Sequence, residues 1–143
     1  MQRIKMNTLF LLGLLSATNA YLDPWFELQT VLSNAMDTWN QVNIKHYTFE
    51  LDEPLMDATL NYPWEVTVID GGGQTAVDSH KNPVLHSPTI VNLFDLIQLQ
   101  ITNKEPTIEV EYASGYGYPY YIKIIKSDHS VWECGVTNFA PLN

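Results

Sequence analysis

The sequence predicts an α+β fold, one twisted antiparallel sheet of about five strands with two helices packed on one face. Three observations point there. Two segments carry apolar residues at helical spacing behind an acid-proline or serine-proline pair, several others alternate apolar and polar residues with a period of two, and the links between neighbouring alternating segments are short. Strands joined by such turns must run antiparallel.

The 143 residues are 45% hydrophobic and 16% charged, the balance of one globular domain rather than a disordered chain. The first twenty stand apart. Arg3 and Lys5 precede an apolar run from Leu9 to Leu15, and Ser16 to Ala20 are small or polar, with Thr18 and Ala20 where a signal peptidase reads small residues. Residues 1–20 are therefore expected to be a secretory signal peptide, and residues 21–143 a single α+β domain starting at Tyr21. The apolar run is shorter than the roughly 20 residues of a spanning helix. The expected product is secreted and soluble, extracellular or periplasmic, with no membrane span.

Asp23-Pro24 reads as a cap with proline at the first helical position, and Trp25, Leu28, Leu32, Ala35, Met36 and Trp39 follow at helical spacing, predicting a helix from about 24 to 41. Tyr47, Phe49 and Leu51 then alternate with Thr48, Glu50 and Asp52 in a half-buried strand. Trp64, Val66 and Val68 resume the alternation up to Asp70-Gly71-Gly72-Gly73, a tight reversal, with short strand potential at Thr75-Ala76-Val77. Ser87-Pro88 repeats the cap-then-proline signature before Ile90, Leu93, Phe94, Ile97 and Ile101, a second helix ending near Asn103. Three strands close the chain, around Ile108-Val110-Tyr112, Tyr120-Ile122-Ile124 and Trp132-Cys134-Val136. Helix-then-strands occurs twice, a faint sign of an internal repeat.

Residues 1–20 hold two of the seven basic residues and none of the sixteen acids, so the net charge moves from −9 for the whole chain to −11 for residues 21–143. No basic stripe is left to displace counterions from phosphates, which excludes nucleic acid as a partner, and a basic partner suits the charge better than an anionic surface. Cys134 is the one cysteine, so no internal disulfide can form, and its place among Trp132 and Val136 predicts a buried, inert thiol. No Asn-x-Ser/Thr acceptor occurs.

Chemistry-bearing residues are scattered. His46, His80, His86 and His129 lack ligand spacing and read as turn histidines, so no metal is expected. Glu50, Asp52, Glu53 and Asp57 gather near a strand end without the glycine turn of a calcium loop. Glu109 and Glu111 lie roughly 7 Å apart on one strand face, a spacing open to a paired-carboxylate hydrolase and equally usual on a wet sheet. Gly71-Gly72-Gly73 lacks the lysine and helix of a phosphate loop, and no cofactor is expected. The most unusual stretch runs from Tyr112 to Tyr121, where Tyr116, Tyr118, Tyr120 and Tyr121 interleave with Gly115, Gly117 and Pro119. Alternation sends about half of these rings outward, and rigid exposed tyrosines suit recognition of a protein, peptide or glycan.

Trp39 ahead of Tyr47-Thr48-Phe49, Val66-Thr67-Val68-Ile69-Asp70-Gly71, Leu93-Phe94 with Ile97, Val110-Glu111-Tyr112, Gly117-Tyr118-Pro119 and Val136-Thr137-Asn138-Phe139, in that order, resemble the domain-of-unknown-function family DUF6174 over roughly residues 35–140. The resemblance implies a small secreted or lipid-anchored domain with no assigned activity. Relatives often carry a lipid-accepting cysteine at the mature start and cysteines in the first strand; here Tyr21 and Phe49-Glu50-Leu51 stand instead, so neither lipid anchor nor that disulfide transfers.

The expected function is thus a monomeric, non-enzymatic secreted domain that binds a protein, peptide or glycan through an open sheet face and the Tyr116, Tyr118, Tyr120 and Tyr121 segment. A small hydrolase using Glu109 and Glu111 with a nearby histidine is one alternative. A structural or storage role is the other.

Overall fold

The computed structural model describes residues 2–7, 23–53 and 61–143, the first of these segments by its backbone alone. The apolar run of the expected leader, its cleavage point and Asp57 lie outside the described residues.

Asp23 caps the first helix, α1 (Pro24–Val42), by accepting the Trp25 N–H at 3.0 Å, with proline opening the first turn as the sequence predicts. Leu28, Leu32, Ala35 and Trp39 form its buried stripe, and Asn43 in the left-handed region (φ 51°) ends it. The second helix, α2 (Ile90–Thr102), starts two residues later than the serine-proline pair predicts. Thr89 is the cap: its hydroxyl accepts the Asn92 N–H at 3.2 Å, and the Asn92 side chain accepts the Thr89 N–H at 2.9 Å. A cap at Ser87 would have placed Ile90 in the reciprocating position, where no side-chain acceptor exists.

Six strands lie between residues 47 and 141, named in chain order after β1 (Gln2–Asn7): β2 (Tyr47–Asp52), β3 (Trp64–Ile69), β4 (Gly73–Val77), β5 (Thr107–Tyr112), β6 (Pro119–Ile125) and β7 (Val131–Pro141). All pair antiparallel in one open sheet of order β1-β5-β6-β7-β2-β3-β4. The expected count of about five falls short for two reasons. Gly73–Val77 forms a full hairpin strand on β3, with Asp70 (φ 53°) and Gly71 (φ 73°) turning the chain between them. Gln2–Asn7 adds a strand to the β5 edge from within the predicted leader.

The chain thus reads α1-β2-β3-β4 and then α2-β5-β6-β7, two helix-plus-meander units joined where β7, the last strand, pairs with β2, the first strand of the other unit. Both helices contribute to one core with Tyr47, Phe49, Leu51, Val66, Val68, Ile108, Val110, Ile122, Ile124 and Cys134 from the facing side of the sheet. The opposite face carries Glu50, Glu65, Glu109, Lys123 and Glu133, so α+β with both helices on one face holds. Cys134 is 1% exposed, as predicted, and burial pushes its thiol well above the usual range.

β7 is longer than the sequence pattern suggests because it contains a bulge. Val136 stands opposite Leu51 and Thr137 opposite Glu50, but Ala140 stands opposite Thr48, leaving one extra residue on β7. Asn138 sits in the left-handed region there (φ 51°) and donates to Glu50 at 2.8 Å, and Phe139 is returned to the helix side against Trp39 and Tyr47.

Two stability outcomes follow. Trp39 is 6% exposed and meets Tyr47 edge-on at 5.4 Å, while Phe94 lies within the core from α2. Truncation of either to alanine should cost about 3–5 kcal/mol in a denaturant melt, and wild-type stability would refute the assigned helical phase. Glu53, just beyond β2, is 8% exposed and accepts the Tyr62 hydroxyl at 3.0 Å; burial raises its carboxyl pKa more than its hydrogen bonds from Tyr62 and Trp132 lower it. A raised folded-state pKa means that the fold favours the neutral acid: the contribution is present below the unfolded value of about 4.3 and is lost as pH rises through the folded value. Glu53→Gln should therefore match wild type in acid and exceed it at neutral pH, which melts across pH 3–8 would measure; a parallel pH profile for both proteins would contradict this.

Candidate binding surface

The loop joining β5 to β6, Ala113–Tyr118, is fixed from both sides. Within it, the Ala113 N–H donates to the Tyr118 carbonyl and the Gly117 N–H to the Ala113 carbonyl, each at 2.8 Å. Outside it, Gly117 rests directly on α1. A Cβ at Gly117 would stand 2.4 Å from the Ala35 carbonyl oxygen and 3.0 Å from the Trp39 nitrogen, and its φ of 84° suits glycine. The loop is latched to helix backbone at a point where no side chain fits.

That latch sorts the four tyrosines. Tyr116 points outward at 38% exposure, its ring 5.3 Å from Phe139 and 6.3 Å from Tyr118. Tyr118 stacks on Phe139 at 4.5 Å and meets Trp39 edge-on at 6.5 Å, and burial, with a smaller contribution from Tyr116, raises its hydroxyl pKa. Tyr120 and Tyr121 are half-buried in β6; their hydroxyls donate to Glu111 and, at 2.8 Å, to Glu133. Of the predicted segment, one ring is freely presented, one covers the aromatic core, and two are tied to carboxylates of neighbouring strands.

Beside the loop lies a cleft of about 440 Å³, walled by Val31, Asn34, Ala35 and Thr38 of α1 and by Tyr112, Ala113, Ser114, Gly115 and Gly117. Among the described residues its lining holds hydroxyls, an amide and apolar groups, but neither a carboxylate nor a histidine. It is equipped to hydrogen-bond and to pack. A second, smaller cleft of about 280 Å³ lies on the open sheet face between Glu50, Glu65, Thr67 and Asn138. Glu50 and Glu65 stand directly opposite each other there, and the like charges are relieved by Asn138 on Glu50 and by an ion pair from Lys81 to Glu65.

Glu109 and Glu111 line neither cleft. They lie on the open face, Glu109 opposite Lys123 and Glu111 opposite Tyr121. His46 sits 3.5 Å from Asp70 at an exposed turn, and His80, His86 and His129 are exposed, the last two with positive φ. Among the described residues no group of three or more His, Cys, Asp or Glu side chains could hold a metal ion, and no helix is long and apolar enough to cross a membrane. Of the carboxylates near the end of β2, Glu53 is turned inward to Tyr62, an arrangement that the sequence did not disclose because the partner stands nine residues away across a segment without a legible period.

The two loop glycines separate packing from backbone strain. Gly115 also has positive φ (85°), but a Cβ there would meet nothing within 4 Å. Gly115→Ala should cost about 1–2 kcal/mol, the backbone term alone, whereas Gly117→Ala should cost about 2–5 kcal/mol because the loop must also leave α1. Equal losses in a denaturant melt would show that the α1 contact contributes nothing.

No curated protein and no solved structure matches the chain. A family of unknown function, DUF6174, matches residues 31–133, which takes in most of α1, the whole of α2, every strand from β2 to β6, the Tyr116–Tyr118 loop and the first residues of β7. The chain therefore belongs to the DUF6174 family.

Proposed function

We propose that the protein is exported and acts, once residues 1–20 are removed, as a non-enzymatic binding domain whose ligand-facing surface is the corner formed by Tyr116, Tyr118 and the adjoining cleft. A protein or peptide ligand fits this surface best. One observation carries the reading: Tyr116, a large exposed ring on a loop immobilised by the Gly117 contact, lies between Gly115 and Gly117, two residues of a cleft whose described lining offers hydrogen bonds without a carboxylate or a histidine. A rigid aromatic beside a concavity loses little entropy on binding, which is the property that makes tyrosine an interface anchor. The net charge of −9 favours a ligand of net positive charge. A hydrolase built on Glu109 and Glu111 would need both to line a cleft with a histidine, and their position on the open face supports no such chemistry.

Tyr116→Ala should leave stability within about 1 kcal/mol and weaken ligand binding by about 1–2 kcal/mol or more. Tyr118→Ala should instead lower stability by about 1–3 kcal/mol, because its ring is part of the Phe139–Trp39 stack. Affinity capture from the native extracellular medium with wild-type and Tyr116→Ala baits, beside melts of both variants, reads these two effects separately. Equal recovery of partners by both baits would remove the corner from the function.

A further inference from the structure

We infer that the outer edge of β5 is a strand-addition site for an extended peptide in which basic and apolar residues alternate, that Gln2–Asn7 is its internal occupant, and that removal of the leader opens it to such a segment of another polypeptide. The vacating step rests on the export reading above; the edge itself does not.

The two edges of the six-stranded sheet are treated differently. Along β4 the chain folds back on itself: Val77 bridges Pro83, and the Val84 N–H donates to the Ala76 carbonyl at 2.9 Å, so a proline-bearing loop covers part of that edge. Among the described residues the strand that covers the β5 edge is β1. Thr107–Tyr112 contains no proline or glycine and is rich in residues that favour strands, which leaves its outward N–H and C=O groups a template for pairing.

The register of β1 states what fits. Ile4 stands opposite Val110 and Met6 opposite Ile108, two core residues, while Arg3 stands opposite Glu111 and Lys5 opposite Glu109 on the open face. Because the side-chain period of a strand is two, one phase of an incoming peptide meets apolar partners and the other meets carboxylates, and a shift by one residue inverts both. The carboxylates also discriminate against a second copy of the domain, since an antiparallel β5–β5 pair centred on this segment would bring Glu109 and Glu111 of both copies together. Main-chain hydrogen bonds supply the attachment, and the alternation supplies the choice.

The test uses the full chain and residues 21–143 together with two hexapeptides, Gln-Arg-Ile-Lys-Met-Asn and its rearranged form Gln-Arg-Lys-Ile-Met-Asn, in which no register sets both basic residues on one face and both apolar residues on the other. The full chain should protect the outward β5 amides from hydrogen exchange and bind neither peptide; residues 21–143 should expose those amides, bind the first peptide, and bind the second at least about tenfold more weakly. Glu109→Gln should weaken the first peptide and lose less when the peptide's lysine is also replaced by glutamine. Equal binding of both peptides, unprotected β5 amides in the full chain, or additive effects of Glu109→Gln and the peptide change would overturn the proposal. A chain of residues 21–143 that fails to fold would overturn it as well, because Gln2–Asn7 would then be a structural strand. N-terminal sequencing of the exported protein tests the export reading separately, with Tyr21 as the expected first residue.

Discussion

The pairing of β7 with β2 is the constraint on which the rest of the structure depends. Each helix-plus-meander unit has a three-stranded sheet with one apolar face, and a single helix covers too little of such a face to keep it dry. Joining the last strand of the chain to the first strand of the first unit makes one continuous sheet, and α1 and α2 then lie side by side over a shared core. The seam spans almost the whole length of the domain in sequence. Its closure entropy is correspondingly high, and the burial of Tyr47, Phe49, Leu51, Cys134 and Val136 on either side of it offsets that cost.

The seam also builds the corner proposed to bind a ligand. The extra residue at Asn138 returns Phe139 to the helix side, where its ring lies 5.8 Å from Trp39, 5.5 Å from Tyr47 and 4.5 Å from Tyr118. Phe139 and the direct edge-on contact of Tyr118 with Trp39 are therefore the two routes by which the loop's tyrosines touch the core. Tyr116 in turn leans on Phe139 and Tyr118, so the exposed ring is backed by a chain of aromatic contacts reaching to α1 and β2. Gly117 closes the loop on α1 from the other side. A surface held at both ends in this way is ordered before any ligand arrives, and ordering is the part of binding that otherwise opposes affinity.

Much of this was legible in the sequence, and the parts that were not share a cause. Both helices and the five main strands follow from period and capping, since those signals are local and each residue reports its own face. What failed depended on a partner distant in sequence. Period two, carried past Val136, assigns Asn138 and Ala140 to the core and Phe139 to solvent; the bulge reverses that, and its only local signal is an asparagine able to adopt positive φ. Alternation divides the tyrosines of the loop into inward and outward, but cross-strand register alone decides that Tyr120 and Tyr121 reach Glu111 and Glu133. Arg3-Ile4-Lys5-Met6 has a period of two as well, and its basic residues read first as the start of a leader.

Charge placement gives the open face a direction. Across its middle, Glu109, Lys123 and Glu133 stand in one row, so a single lysine is shared by two carboxylates, and Tyr121 donates to the second of them. Toward β3, Lys81 and Asn138 quiet Glu65 and Glu50. Toward β5, Glu111 takes the Tyr120 hydroxyl and stands opposite Arg3, and Glu109 lies in register between Lys123 on β6 and Lys5 on β1. Beside the β5 edge the cationic register partners of both glutamates, Arg3 and Lys5, come from the first residues of the chain. An acidic row on an otherwise strand-forming edge repels copies of itself and admits a cationic strand, so the same two glutamates that guard the edge against self-association also define what can occupy it.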